Sequence, residues 1–405
     1  MGFISDRTKS KWGRRRPYIF IGAILSGLIF AILWQLPANQ SQNFYFIYFL
    51  IGSLLFYSAY TVFATPWVAL GYELTPDYHE RTRLMGVQNI FGQLPYLIAP
   101  WFLWITTYKG LFDNQVSGAS GLAIIIAVVV IIAGIMPAIF LKERFKDNDN
   151  DDKDKSKSFG DIIKGFFKEF ITTLKSKSFM KLCVATFLVF NGFMLVSSFQ
   201  YYVIIYYVFA GDQVVGAEYA GYAGTVGSIA TFIVIALVTW LSTKIGKRKA
   251  FFVSTGISMI GYLLKWVSYN PEIPWMVVLP APLIAFGLGG LFVLMPSMIA
   301  DLVDVDELET KQRREGMFGA IYWWMVKLGM SVALAGGGIL LNITGFDVAL
   351  QGNQSSTTIT MLRVFDVGIP FIGSAIAIWF IAMYPITEEK AQQVRKELEI
   401  RRGKA

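Results

Sequence analysis

Long apolar runs separated by short charged turns repeat along nearly the whole chain. A helix needs about 20 apolar residues to cross a bilayer, and ten runs of that kind stand at 17–36, 43–72, 83–108, 117–141, 179–210, 217–243, 250–269, 273–300, 316–343 and 357–384. Within the runs the apolar positions show neither the two-residue alternation of strands nor a clean polar face. Hydrophobic all round, such segments read as membrane-spanning helices. The expected fold class is therefore an all-α polytopic membrane protein.

Composition agrees: 55% of the 405 residues are hydrophobic and 16% charged, too apolar for one soluble core. Charge then sets topology. The first turn carries Arg7, Lys9, Lys11, Arg14, Arg15 and Arg16, and alternate turns keep the excess of Lys and Arg. Basic loops stay cytoplasmic, so both termini are expected inside, with the chain integral to the plasma membrane or bacterial inner membrane. Lys109 and Arg363 are read as lying in loops on the other side, and Lys265 and Lys327 within spans. The net charge of +8 is then a topology signal, since no basic, aromatic-interleaved soluble face is present to bind nucleic acid. Cys183 and His79 are the only cysteine and histidine, which gives no catalytic or metal-ligating cluster. Neither an enzyme nor a resident cofactor is expected.

The clearest boundary is 142–158, KERFKDNDNDDKDKSKS, a mixed-charge run that reads as a linker. After it, FGDIIKGFFKEFITTLK puts apolar residues on one helical face and lysines on the other, an amphipathic helix expected to lie at the membrane interface. The organisation read is an N-terminal half of four spans (1–141), a linker with an amphipathic helix (142–178), a C-terminal half of six spans (179–384) and a cytoplasmic tail (385–405). Basic glycine turns recur at Gly2–Arg15 and at Thr243–Lys249. Each would join the second and third helices of a six-helix half, so the first half reads as lacking its first helix and most of its second.

GFISDRTKSKWGRRRPYI at the start, TPWVALGYELTPDYHERTRLMG (65–86), DLVDVDELETKQRREGMFGA (301–320) and WMVKLG (324–329) strongly resemble the glycoside-pentoside-hexuronide:cation symporters. These are the melibiose-permease-like branch of the major facilitator superfamily, and the likeness runs through essentially the whole chain. It implies two pseudo-symmetric halves, twelve spans of which ten are read here, and cation-coupled symport of a sugar or glycoside by alternating access. The coupling ion would be Na+ or H+. The family's coupling carboxylates precede a Met-Gly that resembles Met1-Gly2, so they stand outside this chain.

From the resemblance, Thr61 remains of the cation site; on its own residue type it would equally back-bond within its helix. Lys327, deep in its span, is the first candidate for substrate and coupling, because an intramembrane ammonium is expensive without a partner. Trp323 lies one turn before it and offers an aromatic wall. Tyr60, Gln88, Asn89 and Gln93 are the polar groups of the first half that can line a cavity. The family's branch has an acid at the place of Ala64 and an arginine at that of Gln88, so a differently substituted glycoside, a non-sugar or lipid-like substrate, or uncoupled passage stay open. Lys265 is expected to snorkel to its nearby span end, and Asn191 and Gln200 to form interhelical hydrogen bonds.

Three charged cytoplasmic clusters read as a gate: Asp6, Arg7, Arg14 and Arg15; Glu73, Asp77, Glu80, Arg81 and Arg83; and Asp301, Asp304, Asp306, Arg313, Arg314 and Glu315. Individually weak pairs suffice for a switch, since only a difference between two states matters. The glycines at 221, 224 and 227, at 287, 289 and 290, and at 336–338 are read as close-packing sites, and Pro280, Pro282 and Pro296 as kinks.

Overall fold

The structure, a computed structural model, describes residues 5, 8, 10–74, 91, 92, 94–108, 110–141, 143, 167, 170–311 and 314–401, without the side chains of 69, 72, 73, 315, 316, 395 and 399. Among these residues there is no strand. The helices are α1 (Arg16–Leu33), α2 (Gln42–Glu73), α3 (Leu94–Thr107), α4 (Gln115–Phe140), α5 (Lys177–Val208), α6 (Gln213–Ile245), α7 (Lys247–Ser268), α8 (Pro280–Thr310), α9 (Glu315–Ile343), α10 (Ser356–Ala382) and α11 (Glu388–Arg401). Nine of the described helices are long and apolar enough to cross a membrane. They match nine of the ten expected runs; of the tenth, 83–108, the described part is the shorter apolar α3.

Local chemistry sets many of the starts. Ser41, Ser176 and Ser355 accept from the backbone three residues on, Asp212 from Val214 and Val215, and Asn114 forms a reciprocal capping box with Ser117. Each satisfies amide donors that a helix start otherwise leaves open. Pro280 is the first residue of α8, where its missing N–H is harmless, so it opens the helix and is not a kink within it; Pro296 lies inside.

The chain forms two compact units. The first comprises residues 1–95 and 102–156, the second 96–101 and 157–405. In the first, α1 packs between α2 and α4, around a small core of Ile19, Leu70 and Ala138. Most of α2 is apolar and outward: Phe46, Leu54 and Tyr57 are each more than 60% exposed. Lipid contact satisfies such side chains, so burial is no measure of stability there. In the second unit α8 packs on α6 and α7, and α5 on α9 and α10, around Phe179, Leu182, Phe251, Leu291, Met295, Phe318 and Ile381. The segment Tyr96–Trp101 belongs with it: Trp101 Nε1 donates to Thr225 Oγ1 at 2.8 Å and Ser228 Oγ to the Tyr96 carbonyl at 2.9 Å. Phe170 and Leu174, from the end of the expected interfacial helix, pack against this core.

Glycines mark its closest helix contacts. A Cβ on Gly290 would stand 2.5 Å from Ser254 Oγ, and one on Gly224 2.5 Å from Pro100 Cβ. Substituting Gly290 by valine is expected to lower stability by about 1–3 kcal/mol, read as a lower thermal midpoint of the purified protein; an unchanged midpoint would refute the close-contact reading of α7 against α8.

Each unit has, taken by itself, a proximal and a distal end. In the first the proximal end carries Gly13–Arg16 and Glu143, in the second Gly246, Arg314 and α11. The opposite ends are distal.

Candidate functional site

On α9, the side turned to the core carries Tyr322, Val326 and Ala333, while Trp323, Lys327 and Met330 are exposed. Trp323 stacks on Phe292 of α8, with centroids 6.3 Å apart and planes 9° from parallel. Lys327 stands one turn further along the same face and pairs with no carboxylate among the described residues. The second unit thus presents a flat aromatic surface with an ammonium beside it. Such a surface can stack on the apolar face of a sugar ring while the ammonium donates to hydroxyl or carboxylate oxygens.

In the first unit Tyr60 is exposed and stacks on Phe56 at 6.2 Å. Thr61, also exposed, donates its hydroxyl to the Tyr57 carbonyl at 2.7 Å. That is the back-bond its residue type suggested, and it leaves oxygen lone pairs but no free proton. Gln88, Asn89 and Gln93 lie outside the described residues.

Of the gate residues, Asp6, Arg7, Asp77, Glu80, Arg81, Arg83 and Arg313 lie outside the described residues, and Glu73 and Glu315 are described for backbone only. Asp301 binds Lys247 at 2.6 Å, and Asp306 takes a two-pronged contact from Arg314, one prong at 2.9 Å. Asp301 and Asp304 line a proximal cleft of about 560 Å³ together with Lys247, Arg248 and Glu388. Beside it Tyr384 donates to the Met298 carbonyl at 3.2 Å; burial, with Asp301 nearby, holds its phenol above the ordinary range.

Arg14 and Arg15 belong to a construction that sequence reading missed. The carboxylate of Glu143 accepts three consecutive backbone N–H groups, from Arg14 at 2.9 Å, Arg15 at 2.8 Å and Arg16 at 3.0 Å. In return Arg16 donates to the carbonyls of Ala138 at 2.6 Å and Ile139 at 3.0 Å, in the last turn of α4. An anion thus caps the start of α1 and a cation the end of α4, each matching the helix dipole it meets.

A second missed feature corrects an expectation. Lys265 does not snorkel. It is 6% exposed, and its Nζ donates to both oxygens of the fully buried Asp366, at 2.9 and 3.1 Å. The Tyr269 hydroxyl donates to the same carboxylate. Lys265, the one charge of its apolar run, and Asp366, an acid within another, were the available signal. Arg363 is likewise not in a loop but inside α10, against α7. Asn191 donates to the Phe187 carbonyl of its own helix at 2.9 Å, not across helices as expected.

The family described as MFS/sugar transport protein matches residues 1–388. The chain is 23% identical to an uncharacterized symporter of Synechocystis sp., over 99% of this chain and 86% of that protein. It is 23% identical to a glucuronide carrier protein homolog of Escherichia coli, over 99% and 83%, and 23% identical to an isoprimeverose transporter of Lactiplantibacillus pentosus, over 94% and 76%. Its fold resembles a bacterial homolog of the human lysosomal transporter Spinster in an inward-facing, unoccupied conformation, with TM-score 0.66 at 13% identity over 95% of this chain and 84% of that one. The agreement of nine apolar helices, this fold and a match over nearly the full length leads to one conclusion: the chain belongs to the MFS/sugar transport protein family, the glycoside-pentoside-hexuronide branch of the major facilitator superfamily.

Proposed function

We propose that this membrane transporter carries a sugar or glycoside together with Na+ or H+ by alternating access, with both termini cytoplasmic. The observation that carries the substrate class is the exposed Trp323–Phe292 stack with Lys327 one turn away; the names of the relatives point the same way. Tyr60, Gln88 and Asn89 complete the substrate set from the first unit, and Thr61 supplies a cation ligand. The proximal acids and arginines form the gate. An ammonium that pairs with no carboxylate among the described residues favours an acidic sugar over a neutral one, because a carboxylate gives it a charge-assisted hydrogen bond that a hydroxyl does not.

The experiment is uptake of labelled glucuronides and neutral disaccharides into proteoliposomes, with and without an inward Na+ or H+ gradient. Gradient-driven accumulation is expected, falling about 100-fold or more in Lys327→Ala, equivalent to roughly 2.7 kcal/mol. Saturable uptake that never exceeds equilibrium would replace symport by uncoupled passage. Accumulation unaffected by Lys327→Ala would remove Lys327 from the site.

A further inference from the structure

At the distal end of the second unit, three elements meet around a positive charge that the proposed transport site does not use. The guanidinium of Arg363 in α10 lies between two rings: Tyr207, in the π-helical end of α5, with its centroid at 4.4 Å, and Trp266 of α7 at 4.5 Å. Its Nη2 donates to the Trp266 carbonyl at 2.8 Å on the exposed side, while its Nε is buried and has no hydrogen-bond partner, so the Nη end is the one that faces outward. Asp366, one turn further along α10, is already engaged by Lys265 and Tyr269. The phenols Tyr207, Tyr262 and Tyr269 stand around these charges. Lys265, Arg363 and Asp366 together leave one positive charge without a described counter-ion.

The position says what kind of anion can reach it. Arg363 is seven residues into α10, about 10 Å along the axis from its start, and helix side chains lean toward the N-terminus, which for α10 is the distal end. The guanidinium therefore stands near the level where tryptophan and arginine border a bilayer. Its neighbours Leu263, Val267 and Val364 are apolar and outward, so lipid and not an aqueous path abuts it.

We propose that Arg363, walled by Tyr207 and Trp266, binds the phosphodiester of an anionic glycerophospholipid in the distal leaflet, the outer one in the orientation proposed above. A guanidinium offers phosphate a planar fork of donors. A zwitterionic head group would bring its own ammonium into a corner that already holds an excess cation.

The test uses the full chain in nanodiscs of phosphatidylcholine with increasing phosphatidylglycerol, read by native mass spectrometry and thermal midpoint. The wild type is expected to retain one more phosphatidylglycerol than Arg363→Gln, and its midpoint to rise with phosphatidylglycerol where that of Arg363→Gln does not. Equal retention by the two proteins would overturn the proposal, as would a rise produced equally by inorganic phosphate in phosphatidylcholine alone. If Arg363→Gln does not survive purification, Arg363→Lys carries the test: several-fold weaker retention supports the fork, and retention equal to wild type overturns it.

Discussion

Replacing Asp366 by alanine is expected to destabilise the protein by about 3–5 kcal/mol, because it leaves the Lys265 ammonium buried without its counter-ion. Lys265→Met should do the same from the other side, stranding a carboxylate with no exposed surface. The pair with both charges gone, Lys265→Met with Asp366→Leu, should recover most of the loss, since two apolar side chains of similar volume need no desolvation. Tyr269→Phe removes one of the donors to Asp366 and is expected to lower stability by about 1–3 kcal/mol. Thermal or denaturant midpoints of the purified single and double variants close the cycle. A coupling near the roughly 0.6 kcal/mol of an average hydrogen bond between membrane helices would mean that water or lipid head groups already screen the pair. Sugar accumulation retained by the double variant would separate this ion pair, a tie between α7 and α10, from the transport site at Lys327.

Lys265 departs from its expected place because its partner lies on another helix. Distance to the end of its own run suggested escape to the interface, and that estimate contains nothing about a neighbour 101 residues away in sequence. The helices themselves were legible because the bilayer imposes a length and an apolar composition that each segment must meet by itself. Their ends were less so. Apolar composition alone starts α7 at 250, but Gly246, at φ +82°, makes the turn and lets the helix begin at Lys247, with the basic run inside it. The Trp323–Lys327 face was legible for a similar reason, since a helical spacing of four is fixed within one element. Its stacking partner Phe292 was not, because that depends on how α8 lies on α9.

Glu143 shows the same limit from another direction, and its removal is the second large effect expected. Read in sequence it opens a charged linker; in the structure it is 8% exposed and carries the start of α1. Hydrogen bonds to a charged group contribute about 1.5–3 kcal/mol each, but three donors sharing two oxygens are not additive, and water can replace part of the set at a helix end. Glu143→Ala is therefore expected to lower stability by about 2–4 kcal/mol and to speed amide exchange at Arg14, Arg15 and Arg16 selectively. Gly13 supplies an independent check. Its φ of +105° favours glycine, and a Cβ there would stand 2.5 Å from Glu143 Oε1. Gly13→Ala should thus be damaging in the wild type and less so in Glu143→Ala, where the clash is gone and only the backbone strain remains. Strict additivity of the two, or unchanged exchange at the three amides, would show that the carboxylate does not hold this turn. If the turn is released as expected, cysteines placed at Arg14 and Arg15 should become more accessible from the proximal side, because the capped backbone is what fixes where those two candidate gate residues stand.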